Sequence, residues 1–240
     1  MAKYISKLLE RKEIAEGTME FHFSKPEEFN YKPGQHIEIT LINPQETDEE
    51  GNSRVFSLVS APYEPNLIVA TRMRDSAFKR VLKTMPLESE VYIEGPYGSL
   101  ILHSDSSKPA VFIAGGIGIT PFMSMIRYAT KENLPHKIFL FYSNRRPEDT
   151  AYLEELQQKE KENPNFHLIA TMTQMENSKS PWHGETGYIN EPMIKKYIED
   201  ITKPIYYLAG PPAMVSAMRE MLVKMGVIED NIRTEEFGGY

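Results

Sequence analysis

Up to about Leu102 the hydrophobic positions of this chain recur mainly in short alternating stretches, and beyond His103 they gather into unbroken runs separated by helical patterns. In the first stretch Met19, Phe21 and Phe23 alternate with Glu20 and His22, the spacing of a strand with one face on a core. Tyr31-Lys32-Pro33-Gly34-Gln35 supplies a turn, and His36–Leu41 follows as the next strand. Further strands are predicted over 54–60, 67–73 and 90–94. One short helix interrupts them over 76–83, with Phe78, Val81 and Leu82 on its buried face. Several short strands with regular turns predict a small barrel or sandwich.

The polar stretch Ser104-Asp105-Ser106-Ser107-Lys108-Pro109 reads as a linker or domain edge. Ala110-Val111-Phe112-Ile113-Ala114 is then a continuous apolar run, followed by glycines and a helix over 121–130. Strands at 137–142, 166–171 and 205–209 repeat the theme, with helices expected over 148–161 and 213–225. Buried strands alternating with helices predict a doubly wound parallel α/β sheet covered on both faces. Ligands of such sheets bind at the carboxyl ends of the strands, where strand order reverses. The expected division is a β domain over 1–105 and an α/β domain over 106–240. Between Thr173 and Glu185 a long loop is expected, and loops of that length are often functional.

Composition narrows what such a chain can do. No apolar run approaches the roughly 18 residues of a membrane span. Met1-Ala2-Lys3-Tyr4-Ile5-Ser6 lacks the apolar block of a signal peptide, so a cytoplasmic location is the default expectation. A net charge of −7 argues against a general nucleic-acid partner. With no cysteine, disulfides, cysteine-held iron–sulfur clusters and a catalytic thiol are excluded from these 240 residues. The six histidines show no metal-ligand spacing, and no metal is expected.

The clearest chemical feature is Ala114-Gly115-Gly116-Ile117-Gly118-Ile119-Thr120-Pro121, set between a buried strand and a helix. Glycines let the backbone approach a pyrophosphate, the helix N-terminus offers free N–H groups, and Pro121 suits the first helical turn. Taken alone, the cluster also reads as a tight turn that binds nothing, and it lacks the third glycine of the dinucleotide fingerprint. Its companions along the chain are Arg54-Val55-Phe56-Ser57, Gly95-Pro96-Tyr97-Gly98 and Ala209-Gly210-Pro211-Pro212. In this order and separation, and with the Pro33-Gly34-Gln35 turn, the four motifs resemble the ferredoxin–NADP reductase family over essentially the whole chain, in a form without an iron–sulfur domain.

The resemblance implies an N-terminal antiparallel Greek-key barrel for FAD and a C-terminal domain for NADH or NADPH. Arg54 then matches the arginine that pairs with the flavin pyrophosphate, a task suited to a guanidinium fork. Phe56 stands at the usual tyrosine position beside the isoalloxazine, keeping the aromatic face without the hydroxyl. Ser57 matches the catalytic serine near the flavin N5. Thr71, Arg72 and Met73 would line the ribityl–phosphate path, and Ser76 would open the helix whose N–H groups hold a phosphate. For the nucleotide, the resemblance points to Gly116, Ile117, Gly118, Thr120 and Pro121, and to Gly210, Pro211 and Met214, although methionines on that last helix also read as core packing. Many relatives have cysteine where Ala209 stands, so hydride transfer here would depend on positioning of the two rings.

Plant-type relatives end in an aromatic residue that covers the flavin. Tyr240 would take that place on a Gly238-Gly239 hinge, with Phe237 the competing candidate and Glu236 a nearby proton or charge partner. Ser143, Arg145 and Arg146 follow the second parallel strand and could receive a 2′-phosphate. Thr173-Gln174, however, stands where NADPH-specific plant-type members have Ser-Arg, and Thr186-Gly187-Tyr188 lacks their lysine. Trp182-His183-Gly184 with Gly187-Tyr188 is more similar to NADH-using bacterial reductases, which favours NADH.

These features predict a NAD(P)H-dependent flavoprotein oxidoreductase that passes electrons to a separate protein or small-molecule acceptor. The acceptor classes are a ferredoxin, an oxygenase component, a haem protein, a ferric chelate or free flavin. Two alternatives stay open. One is the electron-transfer subunit of a dehydrogenase complex, against which the absence of cysteine argues. The other is a flavin- or nucleotide-binding regulatory module without turnover, which Phe56 and Ala209 keep in view.

Overall fold

The computed structural model describes residues 3–238. They fall into two compact units: residues up to Ile101 with Thr120–Tyr128, and Leu102–Ile119 with the residues from Ala129 onward.

The first unit is a six-stranded antiparallel sheet of β1 (Lys3–Ala15), β2 (Thr18–Ser24), β3 (His36–Leu41), β4 (Ser53–Ser57), β5 (Asn66–Arg72) and β6 (Glu90–Tyr97), in the order β4-β3-β6-β1-β2-β5. A Leu58–Val69 bridge and a 2.8 Å bond from the Val59 N–H to the Ile68 carbonyl join the two ends of that order. The sheet thereby closes into a barrel with Greek-key strand order, which removes the free edges an open sheet would expose. Phe21 and Phe23 are fully buried in its core beside Leu8, Ile37, Ile39, Val91 and Ile93, and Met19 packs against them.

Glu20 departs from the simple alternation. It points away from the side of Phe21, yet it is buried, with Lys12 Nζ at 3.1 Å and His22 Nε2 at 2.6 Å from its carboxylate. The long strand β1 has no clear signature in the sequence. Register shifts against β2 at Leu8/Glu10 and Glu13/Ala15 break its period, and charged residues alternate irregularly with buried Ser6 and Leu8. The strand expected over 54–60 ends at Ser57, whereas the one expected over 90–94 runs on to Tyr97.

Helix α1 (Ala77–Thr84) starts one residue later than expected because Ser76 is its cap, the hydroxyl oxygen accepting from the Lys79 N–H. Ala77, Phe78 and Leu82 form its buried face, while Val81 is only partly covered. Beyond β4, Ser60 anchors the chain. Its carbonyl accepts from the hydroxyls of Tyr31 (3.0 Å) and Ser124 (2.6 Å), and its own hydroxyl oxygen accepts from the Ile68 N–H (3.0 Å).

The second unit is a parallel sheet of β7 (Ala110–Gly115), β8 (Ile138–Asn144), β9 (Phe166–Met172), β10 (Glu185–Thr186), β11 (Ile205–Gly210) and β12 (Ile232–Glu236). Its order is β10-β9-β8-β7-β11-β12. Helices α2 (Thr120–Lys131), α3 (Leu153–Glu162), α4 (Glu191–Tyr197) and α5 (Pro212–Lys224) connect these strands or lie between them in sequence. Every residue of β7 and β11 is buried, as their apolar runs require. The chain steps outward from β7 to β10 and then returns to the other side of β7 as β11, so strand order reverses between β7 and β11. Right-handed crossovers put the helices before and after such a reversal on opposite faces. On one face Val111, Ile113, Phe141 and Ile169 share a core with Ile194 of α4 and with Val215 and Leu222 of α5.

Helix α3 begins at Leu153 and not at 148. Pro147–Asp149 forms a separate 3-10 turn, and Tyr152 adopts a left-handed conformation (φ 62°) before the helix starts. The sequence patterns did not disclose β10, α4 or β12: the first is two residues long, and the last is mostly polar. The expected long loop after β9 is present, with a single 3-10 turn at Met175–Asn177. No helix among the described residues is long and apolar enough to cross a membrane.

Candidate functional site

In the barrel unit, β4 carries Arg54 and Phe56 to the start of α1. The Arg54 guanidinium carbon lies 5.4 Å from the centroid of the Phe78 ring, and Phe56 packs on the same ring at 5.8 Å. Arg54 donates to the carbonyls of Ser53 (2.7 Å) and Glu50 (2.9 Å), and to the carboxylates of Glu50 (2.6 Å) and Asp48 (3.3 Å). The second oxygen of Asp48 accepts from the Ala77 N–H, the first of the helix, at 2.8 Å. One carboxylate thus bridges a guanidinium and a helix N-terminus, the donor pair that recognises a phosphate. The Ala77 bond is the main cause holding the Asp48 carboxyl below the usual range.

Lys79 completes a cationic cluster around this seat. Its ammonium donates to the Arg72 carbonyl at 2.8 Å. Burial, and then the like charges of Arg74 and Arg54, push its pKa below that of an ordinary lysine. Lys79 was not singled out from the sequence, because a lysine inside a helix carries no pattern of its own. A built set of donors already satisfied by a carboxylate fits the phosphate of a flavin nucleotide.

The other barrel candidates are more enclosed than their assigned roles suggest. Phe56 is a core residue, 7% exposed, and Ser57 is 3% exposed at the end of β4, opposite His36 in register. Thr71 is buried, its hydroxyl donating to the Arg72 carbonyl at 3.4 Å. Arg72, Met73 and Ser76 are half-buried, and the Met73 N–H bonds to the Gly17 carbonyl at 2.8 Å.

In the second unit the glycine motifs meet at the strand-order reversal. A Cβ added at Gly118 would stand 2.2 Å from the Ala209 carbonyl oxygen. At Gly210, whose φ is +153°, it would meet the Gly115 backbone at 3.1–3.3 Å. Backbone therefore packs on backbone here, and this contact alone requires the glycines. Gly116 and Ile117 belong to the connecting 3-10 turn, and Thr120 and Pro121 are buried at the start of α2. Met214 sits beside Gly115 and packs on the hydrophobic core, as the packing reading expects. Pro211 precedes α5 as its N-cap residue.

The carboxyl ends of β8 and β9 hold a second polar group. Ser143 is half-buried, in register with Gly115 on one side and Thr171 on the other. Next to it, Asn144 is buried, and its side-chain nitrogen has no hydrogen-bond partner among the described residues. Such an orphaned donor beside the glycine turn fits a nucleotide bound at these strand ends. Arg145 is exposed, whereas Arg146 is committed to the buried Asp149 through a two-pronged pair at 2.9 Å each. Glu148 accepts from the N–H groups of Lys179 (2.7 Å) and Ser180 (2.9 Å) and from the Ser178 hydroxyl (3.1 Å). Its own backbone N–H first, then those contacts, bring its pKa down to about 2. Neither Asn144 nor Glu148 was singled out from the sequence, where they look like an ordinary strand end and helix start.

At the far edge, Glu236 pairs in register with Gly210 and lines a 420 Å³ surface cavity with Val215 and Arg219 of α5. The Phe237 N–H donates to the Gly210 carbonyl at 3.0 Å. Gly239 and Tyr240 lie outside the described residues. The backbone crossing yields a direct prediction. Gly118→Ala is expected to cost about 2–4 kcal/mol of stability, since a carbonyl cannot rotate out of the way. Chemical denaturation checks this, and a midpoint equal to wild type would contradict the close crossing.

The family described as "Oxidoreductase NAD-binding domain" matches residues 112–220. The chain is 27% identical over 221 residues to the glycine betaine monooxygenase reductase subunit of Chromohalobacter salexigens, covering 91% of this chain and 59% of that protein. It is 30% identical over 203 residues to a Na(+)-translocating NADH-quinone reductase subunit of Actinobacillus succinogenes, covering 78% and 49%. The chain thus spans about half to three-fifths of the length of these two curated relatives. Among solved structures, a ferredoxin NADP+ reductase from Neisseria gonorrhoeae with bound FAD and NADP shares the fold at a TM-score of 0.80 and 21% identity, with 98% of each chain covered. The FAD/NAD-binding domain of the nitric oxide dioxygenase of Vibrio cholerae does so at 0.84 and 18%, again with 98% of each covered. With a closed antiparallel barrel and a parallel sheet reversed at its glycine turn, the chain has the fold of these solved FAD- and NAD(P)-binding reductases, and its residues 112–220 match the oxidoreductase NAD-binding domain family.

Proposed function

We propose that the chain is a flavoprotein reductase that draws hydride from NADH in preference to NADPH and delivers electrons to a separate acceptor. The single observation that carries this reading is the phosphate seat made by Arg54 and the first N–H of α1. The barrel, over 1–105, would hold FAD, and the α/β part, over 106–240, the nicotinamide nucleotide. FAD when bound supplies the redox chemistry, accepting two electrons as hydride and releasing them singly or together.

The chain's own residues bind and orient. Arg54, Lys79 and the Ala77 N–H would hold the flavin phosphates, with Thr71, Arg72, Met73 and Ser76 forming the adjoining wall. Phe56 would support the ring from the barrel core, and Ser57 would offer a hydroxyl at its reacting edge. Gly116, Ile117, Gly118, Thr120 and Pro121, with Gly210 and Pro211, would receive the nucleotide. Ala209 brings no thiol, so the reacting rings depend on alignment. Glu236 would serve as a proton or charge partner.

Glu148 supports NADH as the donor. It already fills the N–H and hydroxyl donors of residues 178–180, and its negative charge would repel a 2′-phosphate at these strand ends. Of the two arginines that could receive that phosphate, Arg146 is instead paired with Asp149, while Arg145 is exposed. An oxygenase component is the favoured class of acceptor, because one relative is named as a monooxygenase reductase subunit. These 240 residues hold no cysteine for a cluster, so the electrons would leave to a centre outside them.

Anaerobic mixing of the FAD-loaded chain with each nucleotide tests the reading. Flavin absorbance should bleach with either donor and faster with NADH. Bound FAD that neither donor bleaches would replace the reductase by a binding module without turnover. Glu148→Ala should raise the NADPH rate relative to the NADH rate by about tenfold, the scale of one removed repulsive contact. An unchanged ratio of the two rates would remove Glu148 from donor selection.

A further inference from the structure

We propose that Asp48 is an internal competitor for the flavin phosphate and thereby sets how tightly the chain retains a flavin nucleotide. This rests on the flavin reading given above. The segment between β3 and β4 carries Glu46, Asp48, Glu49 and Glu50. It is docked on α1 at two points. Glu46 grips Arg80 with both oxygens at 3.0 and 2.8 Å, and Asp48 takes the first helical N–H at 2.8 Å. Arg54 in turn meets two carboxylates, Asp48 and Glu50.

A phosphate needs the same guanidinium and the same N–H. Binding therefore requires displacement of Asp48, and the energy the phosphate gains is reduced by what the carboxylate loses. Part of the Asp48 side chain remains open to solvent, at 32% exposure, so exchange does not require opening the barrel. Neutralising Asp48 would leave Arg54 with the Glu50 carboxylate and weaken the acceptor at the Ala77 N–H. The expected sign is the reverse of that for an ordinary ligand-binding residue: the substitution should tighten binding.

Riboflavin, which has no phosphate, is the internal control. Flavin fluorescence titrations of the full chain and of Asp48→Asn would be compared for FAD and for riboflavin. The variant is expected to bind FAD about tenfold more tightly, the scale of one competing charged contact removed, with riboflavin affinity unchanged. Equal or weaker FAD binding in Asp48→Asn would overturn the proposal and leave Asp48 as a helix cap. A variant that does not fold is replaced by Glu46→Gln, which loosens the same segment and should shift FAD binding in the same direction; no shift would also overturn it. Wild-type protein that binds neither FAD nor riboflavin would sink the flavin reading itself. FAD binding that is indifferent to residues 46 and 48 would sink only the competitor.

Discussion

Arg54 and the first N–H of α1 must both reach the Asp48 carboxylate, at the helix end that carries a positive partial charge. Much of the barrel unit follows from that requirement. Strand β4 must run beside α1 to bring Arg54 onto the Phe78 ring, and the β3–β4 connection must fold back so that Asp48 reaches both donors. Closure of the sheet through Leu58 and Val69, and the Ser60 hydrogen bonds just beyond β4, hold the strand in that position. Charge compensation also explains why a strongly acidic connection is tolerated next to a site that would bind an anionic cofactor.

The α/β unit solves a different problem, the close approach of two backbone segments where strand order reverses. Gly118 lies against the Ala209 carbonyl and Gly210 against Gly115, so backbone meets backbone there, with the Met214 and Pro211 side chains beside Gly115. The same crossing serves a bare structural turn and a nucleotide cradle equally well. What separates them is the polar surroundings: the orphaned amide of Asn144 and the carboxylate of Glu148 held by residues 178–180. Asn144 ends β8 and Glu148 lies in the 3-10 turn just after it, on the side where such sheets bind their ligands.

Most of the architecture was legible in the sequence wherever hydrophobic periodicity was strong. His36–Leu41 and the apolar runs of β7 and β11 stand where the patterns put them. Legibility failed where geometry or brevity broke the period: the bulged β1, the two-residue β10, and β12 with its charged residues. The motif residues were legible through their resemblance to a family, but their partners were not. Asp48 and Glu148 are acids in acidic or turn-like stretches, and only folding shows that each fills a set of anion donors. Arg146 reads as a free cation in sequence and is half of an ion pair in the structure.

On the proposed function, the donors around Arg54 seat the phosphates of a flavin. Arg54→Met keeps the apolar stem over Phe78 and removes the guanidinium, so it isolates that seat. Equilibrium binding of FAD to this variant, set against binding of riboflavin, measures it most directly. FAD affinity is expected to fall by about tenfold or more, the scale of a charge-assisted contact, with riboflavin affinity retained. FAD bound as tightly by the variant as by the wild type would contradict it.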